Sequence, residues 1–310
     1  MKIVSTAVIL AITLIVVPLF SYFFGTPPGA TEWEALQTLL ILTGAITLVC
    51  FLLGEITRNN SQVDKIWSVA PIAYVWIVAA YGDFTPRLII MSILVSLWGI
   101  RLTTNFALKG AYSWRFWEGE EDYRWKVLRA RPEFSARWKW TLFNLGFISA
   151  YQNVLILLFT LPVIVALQHP EAPLGTMDWI AGGLMLFFIV YETLADAQHM
   201  RFQNRKWAKI RAGETPEGDL KKGFLDRGLW SLSRHPNYFA EQAIWITFYF
   251  FGVAASGEWF NWSIAGSLLL IVLFIGSSNF SEEISAGKYP EYKEYQKKVH
   301  RFIPLGSLFR

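Results

Sequence analysis

Cysteine is all but missing from this chain: Cys50 is the one thiol in 310 residues, and it sits inside an apolar run. That excludes a disulfide framework and a cysteine-built metal site, and leaves Cys50 a packing role. Charge is thin as well. Asp, Glu, Lys and Arg supply 17% of the residues, where an average soluble domain carries roughly 25%. There is no glycine-rich phosphate loop of P-loop or dinucleotide-fold spacing, so any nucleotide must be held by side chains from several helix ends. No Ser/His/Asp order of a soluble hydrolase occurs, and no internal repeat. What the chain has in excess is apolar surface: 54% hydrophobic residues, 15 Trp and a mean hydropathy of +0.34. An all-α, polytopic transmembrane helical bundle follows, one bundle rather than two soluble domains.

Eight runs approach the ~20 residues that a membrane-crossing helix needs: 3–24, 35–54, 66–81, 88–106, 141–167, 179–195, 238–255 and 263–280. The third, sixth and seventh are short or carry polar residues, which makes seven the nearest rival count. Basic residues test the scheme. With eight spans and an internal N-terminus, the far-side loops hold Arg87 alone, and the other 27 of the 28 Lys and Arg lie on the near side. Both termini are therefore expected in the cytoplasm. The net charge of +4 reads as an orientation signal spread over membrane-edge loops, not as a nucleic-acid patch. The first run is too long for a signal-peptide core and lacks a small-x-small cleavage site. Residues 1–54 read as N-terminal spans, and 55–310 as the part that carries chemistry. A multi-pass protein of a bacterial inner membrane is the expectation, since no retention signal is present.

Polar groups crowd the ends of these runs, where unpaired ones are expensive. The densest stretch, 233–241, packs Arg234, His235, Asn237, Tyr238 and Glu241 into the mouth of the seventh run. Asp64 and Trp67 share a helical face at the entry of the third run, and Pro71 kinks its start. Asp64 reads either as a proton donor in a pocket or as a helix-dipole partner. Arg101 and Asn105 share a face, although a lone basic residue at a span end usually snorkels. The loop from Lys109 through Tyr112 to Trp125 alternates aromatics with both signs of charge, as an interfacial helix does. Some of its residues are available to floor a pocket. Asn144 and Gln152 read as helix-to-helix glue. Glu192 and Asp196, at i and i+4, repel each other on one face and need a partner. With His199 they lack the second histidine of His-Glu-x-x-His, so no metal is expected. The glycine-interrupted loop 206–234 reads as a cover over a ligand or as a mobile connection. The tail after Glu282 and Glu283, through Tyr292 to Pro304, reads as an amphipathic cap on the membrane surface, facing lipid.

Arg234-His235-Pro236-Asn237-Tyr238-x-x-Glu241, followed by an apolar hairpin and a Tyr292-x-x-Tyr295…Ile303-Pro304 tail, resembles the membrane steroid 5-alpha-reductase superfamily. The C-terminal half is also similar to isoprenylcysteine carboxyl methyltransferases and sterol C=C reductases. The stretches 60–71, 98–105 and 119–125 look closest to the largely uncharacterised bacterial and eukaryotic branch. The similarity covers about 55–310. It implies an NADPH-dependent reductase of a C=C bond in a lipophilic, carbonyl-conjugated substrate, with the cofactor pocket open to the cytoplasm. By position, Asn237 and Glu241 match residues around the nicotinamide carboxamide, and Asp196 an aspartate of the cofactor wall. Asp64 falls where steroid reductases carry a carbonyl-polarising glutamate. Arg101, Arg227 and Arg234 are the cations available to the phosphates. Asn105, Tyr112, His235, Glu283 and Tyr292 complete the implied cofactor surroundings. Two departures stand out: Trp98 occupies the place of the tyrosine that partners the acid, and Ala240 that of a glycine. Indole donates a hydrogen bond but cannot deliver a proton as phenol does, which leaves Tyr74 or Tyr238 as the alternative donor beside Trp98. Two other readings share the C-terminal motif or the scaffold: an S-adenosylmethionine-dependent methyltransferase of a lipid or prenyl group, and a non-catalytic lipid-binding protein.

Overall fold

A computed structural model describes residues 15–16, 19–20, 23, 25–115 and 117–305. Among them there is no β-strand. The helices are α1 (Ala30–Thr57), α2 (Gln62–Ile66), α3 (Ala70–Tyr81), α4 (Pro86–Leu108), α5 (Tyr123–Arg129), α6 (Arg137–Leu167), α7 (Thr176–Arg211), α8 (Pro236–Ser256), α9 (Ile264–Lys288) and α10 (Tyr292–Lys298). Five of them, α1, α4, α6, α7 and α9, are long and apolar enough to cross a membrane. The chain is thus a multi-pass helical membrane protein. The expected run 66–81 appears as the 12-residue α3, about 18 Å long, with Pro71 in its first turn. The expected run 3–24 lies for the most part outside the described residues.

Two compact units emerge. The first comprises the residues up to Gly183 together with Trp245–Leu270. Its middle is α3, packed by α1, α4 and α6. Tyr74, Val75, Val78 and Ala79 are fully enclosed there, as are Met91, Val95 and Trp98 of α4. Each large apolar side chain so buried contributes about 1.5–3 kcal/mol relative to exposure. The hydroxyl of Tyr74 meets that of Thr43 at 2.8 Å, so the one polar atom of that ring is satisfied. An aromatic chain continues the core: Trp67 against Phe159, Phe159 against Trp245 at 4.1 Å, and Trp245 edge-on to Trp98 at 4.9 Å.

Within α6, residues Asn144–Tyr151 form a π-helical segment. Side chains favour the wider turn. Glu55 of α1 accepts from Thr141 Oγ1 at 2.9 Å and from Asn144 Nδ2 at 2.8 Å. Ser149 Oγ donates to Asn144 Oδ1 at 3.2 Å, a link across five residues that matches the i→i+5 period.

The second unit comprises Leu184–Ile244 and Ile271–Arg310. Phe224, Tyr292 and Tyr295 form its small core, joined by Tyr289 and Val299. The tail is stitched to the entry of α8 by backbone pairs: Arg234 N–H donates to His300 O and His235 N–H to Arg301 O.

Candidate functional site

In the second unit, Arg234 and His235 precede α8, where Pro236 takes the first helical position and leaves no orphan N–H to satisfy. Arg234 is buried and committed to protein partners. Its Nε and Nη2 donate to the two oxygens of Glu282 at 2.7 and 3.2 Å, and its Nη1 donates to Gln296 O and Val299 O. His235 Nε2 lies 3.0 Å from Glu282 Oε1, and its ring stacks on Tyr238 at 5.1 Å. Burial pushes the imidazole below its ordinary range, with the Glu282 hydrogen bond opposing. This clasp ties the tail to the mouth of α8. It is the reason the Arg-His-Pro stretch and the Tyr-x-x-Tyr tail belong together.

One turn further, Asn237 Nδ2 donates to Asp196 Oδ1 at 3.1 Å. Its other atom, Oδ1, is buried and accepts no hydrogen bond among the described residues. Asp196, Glu192 and Glu241 are all buried, and Asn237 is one partner of the Asp196 carboxylate. Around them, the second half of the 206–234 loop is pinned to α7. Gln198 Oε1 accepts from Leu229 N–H at 2.9 Å, and Trp230 Nε1 donates to Ala195 O at 3.0 Å. His199 stacks on Trp230 at 4.9 Å. Gly228 makes the close approach possible: its φ is +62°, and a Cβ there would meet Gln198 Oε1 at 2.5 Å. Arg227 and Glu283 are exposed, and Tyr292 is buried in the aromatic core.

The first unit holds Asp64, Trp98, Arg101, Asn105 and Tyr112. Trp98 is a fully buried core residue. Arg101 and Asn105 lie one turn apart on α4, both half-buried. Tyr112 donates its hydroxyl proton to Lys65 O at 2.7 Å. Asp64 Oδ2 accepts from Trp125 Nε1 at 3.0 Å. Burial, reinforced by the charge of Asp122, raises the Asp64 carboxyl above the usual carboxylate range. Lys65, next in sequence, is fully buried, and burial lowers its ammonium.

Sequence reasoning missed Glu282 as the centre of the clasp, Gln198 and Trp230 as its neighbours, and Trp125 with Asp122 beside Asp64. A signal existed for Glu282: a buried arginine requires a carboxylate, and two stood at the end of α9. Among the described residues no three His, Cys, Asp or Glu side chains converge as metal ligands.

The model of the family described as "Protein of unknown function (DUF1295)" matches residues 50–299. A protein of the fission yeast Schizosaccharomyces pombe, "Uncharacterized protein C594.04c", is 37% identical over 275 residues, covering 83% of this chain and 78% of the relative. That relative is eukaryotic, so the match gives no support to a bacterial inner membrane in particular. No solved structure matches the chain.

Proposed function

The chain belongs to the DUF1295 family, and from that premise and the site's chemistry we propose a membrane reductase. It reduces a C=C bond conjugated to a carbonyl in a lipophilic substrate, with NADPH as the hydride source and a fold akin to the steroid 5-alpha-reductases. The observation that carries this reading is Asn237. Its amide is oriented by Asp196 and keeps a buried, open acceptor, which suits an amide N–H such as that of a nicotinamide carboxamide.

The residues fit that cofactor. Asn237 and Asp196 hold the carboxamide end, the buried carboxylates Glu192 and Glu241 suit hydroxyl groups, and exposed Arg227 suits a phosphate. Arg234 stays in its clasp and shapes the site indirectly. Bound there, NADPH would supply hydride. As the β-carbon of the substrate gained it, the C=C electron pair would move towards the carbonyl oxygen, and on its return the α-carbon would take a proton from solvent. Asp64, whose carboxyl burial and the charge of Asp122 hold above the usual carboxylate range, is the acid that the resemblance assigns to that oxygen, where it would donate a hydrogen bond as charge develops. The cofactor and acid parts of the proposal stand on separate observations and are tested separately.

The same reading includes eight spans with both termini cytoplasmic, counting 3–24, α3 and α8 beside the five long helices. Support comes from the 27 of 28 Lys and Arg that fall on one side of that scheme, with Arg87 the one exception. Arg87 is buried, donates Nε and Nη2 to Asp178 at 2.8 and 3.0 Å, and caps the carbonyls of Ala172 and Pro173.

The test of the cofactor is thermal unfolding of the detergent-purified protein with NADPH, NADH or S-adenosylmethionine. NADPH is expected to stabilise it, by about 2.7 kcal/mol at a hundredfold excess over Kd, and Asn237→Leu is expected to abolish the shift. Stabilisation by S-adenosylmethionine alone would replace reduction with methyl transfer. No response to any of the three would favour a lipid-binding scaffold.

A further inference from the structure

The stretch 118–125, with its Glu-Glu-Asp-Tyr-Arg-Trp run, takes no part in the cofactor site. It is bonded at close intervals to the segment that carries Asp64. Asn60 N–H donates to Glu121 Oε1 at 2.9 Å, and Asp122 N–H donates to Ser61 Oγ at 2.9 Å. Gln62 Nε2 donates to Trp117 O at 3.1 Å, Asn59 Nδ2 to Gly119 O at 3.0 Å, and Lys65 Nζ to Glu118 O at 2.6 Å. Gly119 permits the turn: its φ is +112°, and a Cβ would clash with the carbonyl of Ala111. The two segments behave as one piece.

Two carboxyls sit in that piece with unequal partners. Asp122 caps α5, and Arg124 donates to it three times, from its backbone N and Nε to Oδ1 and from Nη2 to Oδ2, each at 2.9 Å. Asp64 has the indole of Trp125 and a side-chain hydrogen bond with Ser61, and, among the described residues, no arginine bonded to it. An indole N–H only donates, so Oδ2 of Asp64 is an acceptor, and as the carbonyl oxygen is the better acceptor of a carboxylic acid, that contact favours a proton on Oδ1. Arg124 also acts on Asp64 by its charge, and the charge of Asp64 in turn reaches Lys65 on its own helix, Tyr112 from the loop and Cys50 from α1.

We propose that Asp122, Arg124 and Trp125 form one positioning device, which holds Asp64 as a neutral carboxyl anchored by Oδ2 and presents Oδ1–H to a hydrogen-bond-accepting oxygen of the ligand. Two neighbouring carboxyls do not ionise equally; the one with the better cation takes the charge. Asp122 has the arginine, and despite burial its carboxyl is held below the usual range by Arg124. Asp64 keeps the proton. The device rests on the reading of Asp64 as the acid of the reaction, and the ligand class it selects is a neutral carbonyl or hydroxyl compound. An anionic ligand would meet Asp122.

The experiment is ligand-free infrared spectroscopy of the detergent-purified protein, following the carbonyl stretch of protonated carboxyls against pH. A band present at pH 7 is expected to vanish in Asp64→Asn. In Asp122→Asn its disappearance on raising the pH should move to lower pH by about one unit, the scale of a close like charge. In Trp125→Phe the band should move to higher frequency, because the carbonyl oxygen loses its donor, and a merely structural tryptophan would not move it. Absence of an Asp64-dependent band at pH 7 overturns the proposal. So does a folded Asp122→Asn protein with an unmoved midpoint, or a folded Trp125→Phe protein with an unmoved band. Since no cofactor is added, a positive result beside a failure to bind NADPH would leave the device standing and remove the reductase reading.

Discussion

Glu282 is buried and accepts from Arg234, His235 and Gln296, whereas Glu283, one residue on, is exposed. Breaking a buried ion pair from one side leaves an uncompensated charge and costs about 3–5 kcal/mol. Glu282→Ala is therefore expected to lower the melting temperature strongly and to loosen the tail, seen as faster proteolysis after α9. Glu283→Ala should change stability by no more than about 0.5 kcal/mol. Equal effects would mean that the clasp is not what holds the tail. Local pattern grouped Arg234, His235 and Asn237 at one span mouth and Asp196 with Glu192 and His199 at another, and only the family resemblance set Asp196 beside Asn237. Neither could choose between adjacent carboxylates, since that depends on which side of α9 meets the tail. The same blindness hid Trp125, a tryptophan among 15 whose indole happens to reach a carboxylate.

At the scale of elements, hydropathy located the long helices well, because a run of apolar residues is itself the physical cause of a span. It gave no hint of the π-helical segment in α6. That depends on Glu55, a residue of another helix, and on a five-residue link that periodicity does not encode. The loop 206–234 looked like a cover or a loose connection, yet its second half is bonded to α7 through Gln198 and Ala195. Two of its glycines separate strain from crowding. Gly213 has φ +74° and open space for 4 Å around the place a Cβ would take, while Gly228 has φ +62° and the Gln198 oxygen at 2.5 Å. Gly213→Ala should cost about 1–2 kcal/mol, the penalty of a left-handed alanine. Gly228→Ala should cost more and expose the 224–233 stretch to hydrogen exchange. If the two variants melt alike, the contact with Gln198 is not what pins the loop.

For the whole molecule, the proposed orientation predicts which loops face which side. In a Cys50→Ala background, Asp83→Cys lies in the exposed turn after α3, and Lys209→Cys lies near the exposed end of α7. In sealed vesicles of known polarity, a membrane-impermeant thiol reagent should label the two from opposite sides. Labelling from the same side would remove α3 as a span and reduce the count. Membrane character and helical class were readable from composition alone, and the charge asymmetry suggested a topology. Neither reported that Arg87 was an exception with a partner.

That partner is 91 residues away in the chain. A ribosome adding about 5–20 residues per second needs on the order of ten seconds to go from Arg87 to Asp178. During that interval α4 must wait with a guanidinium that has no carboxylate to meet. The contact that fixes the start of α4 in the folded chain is therefore completed only late in synthesis, once Asp178 has emerged.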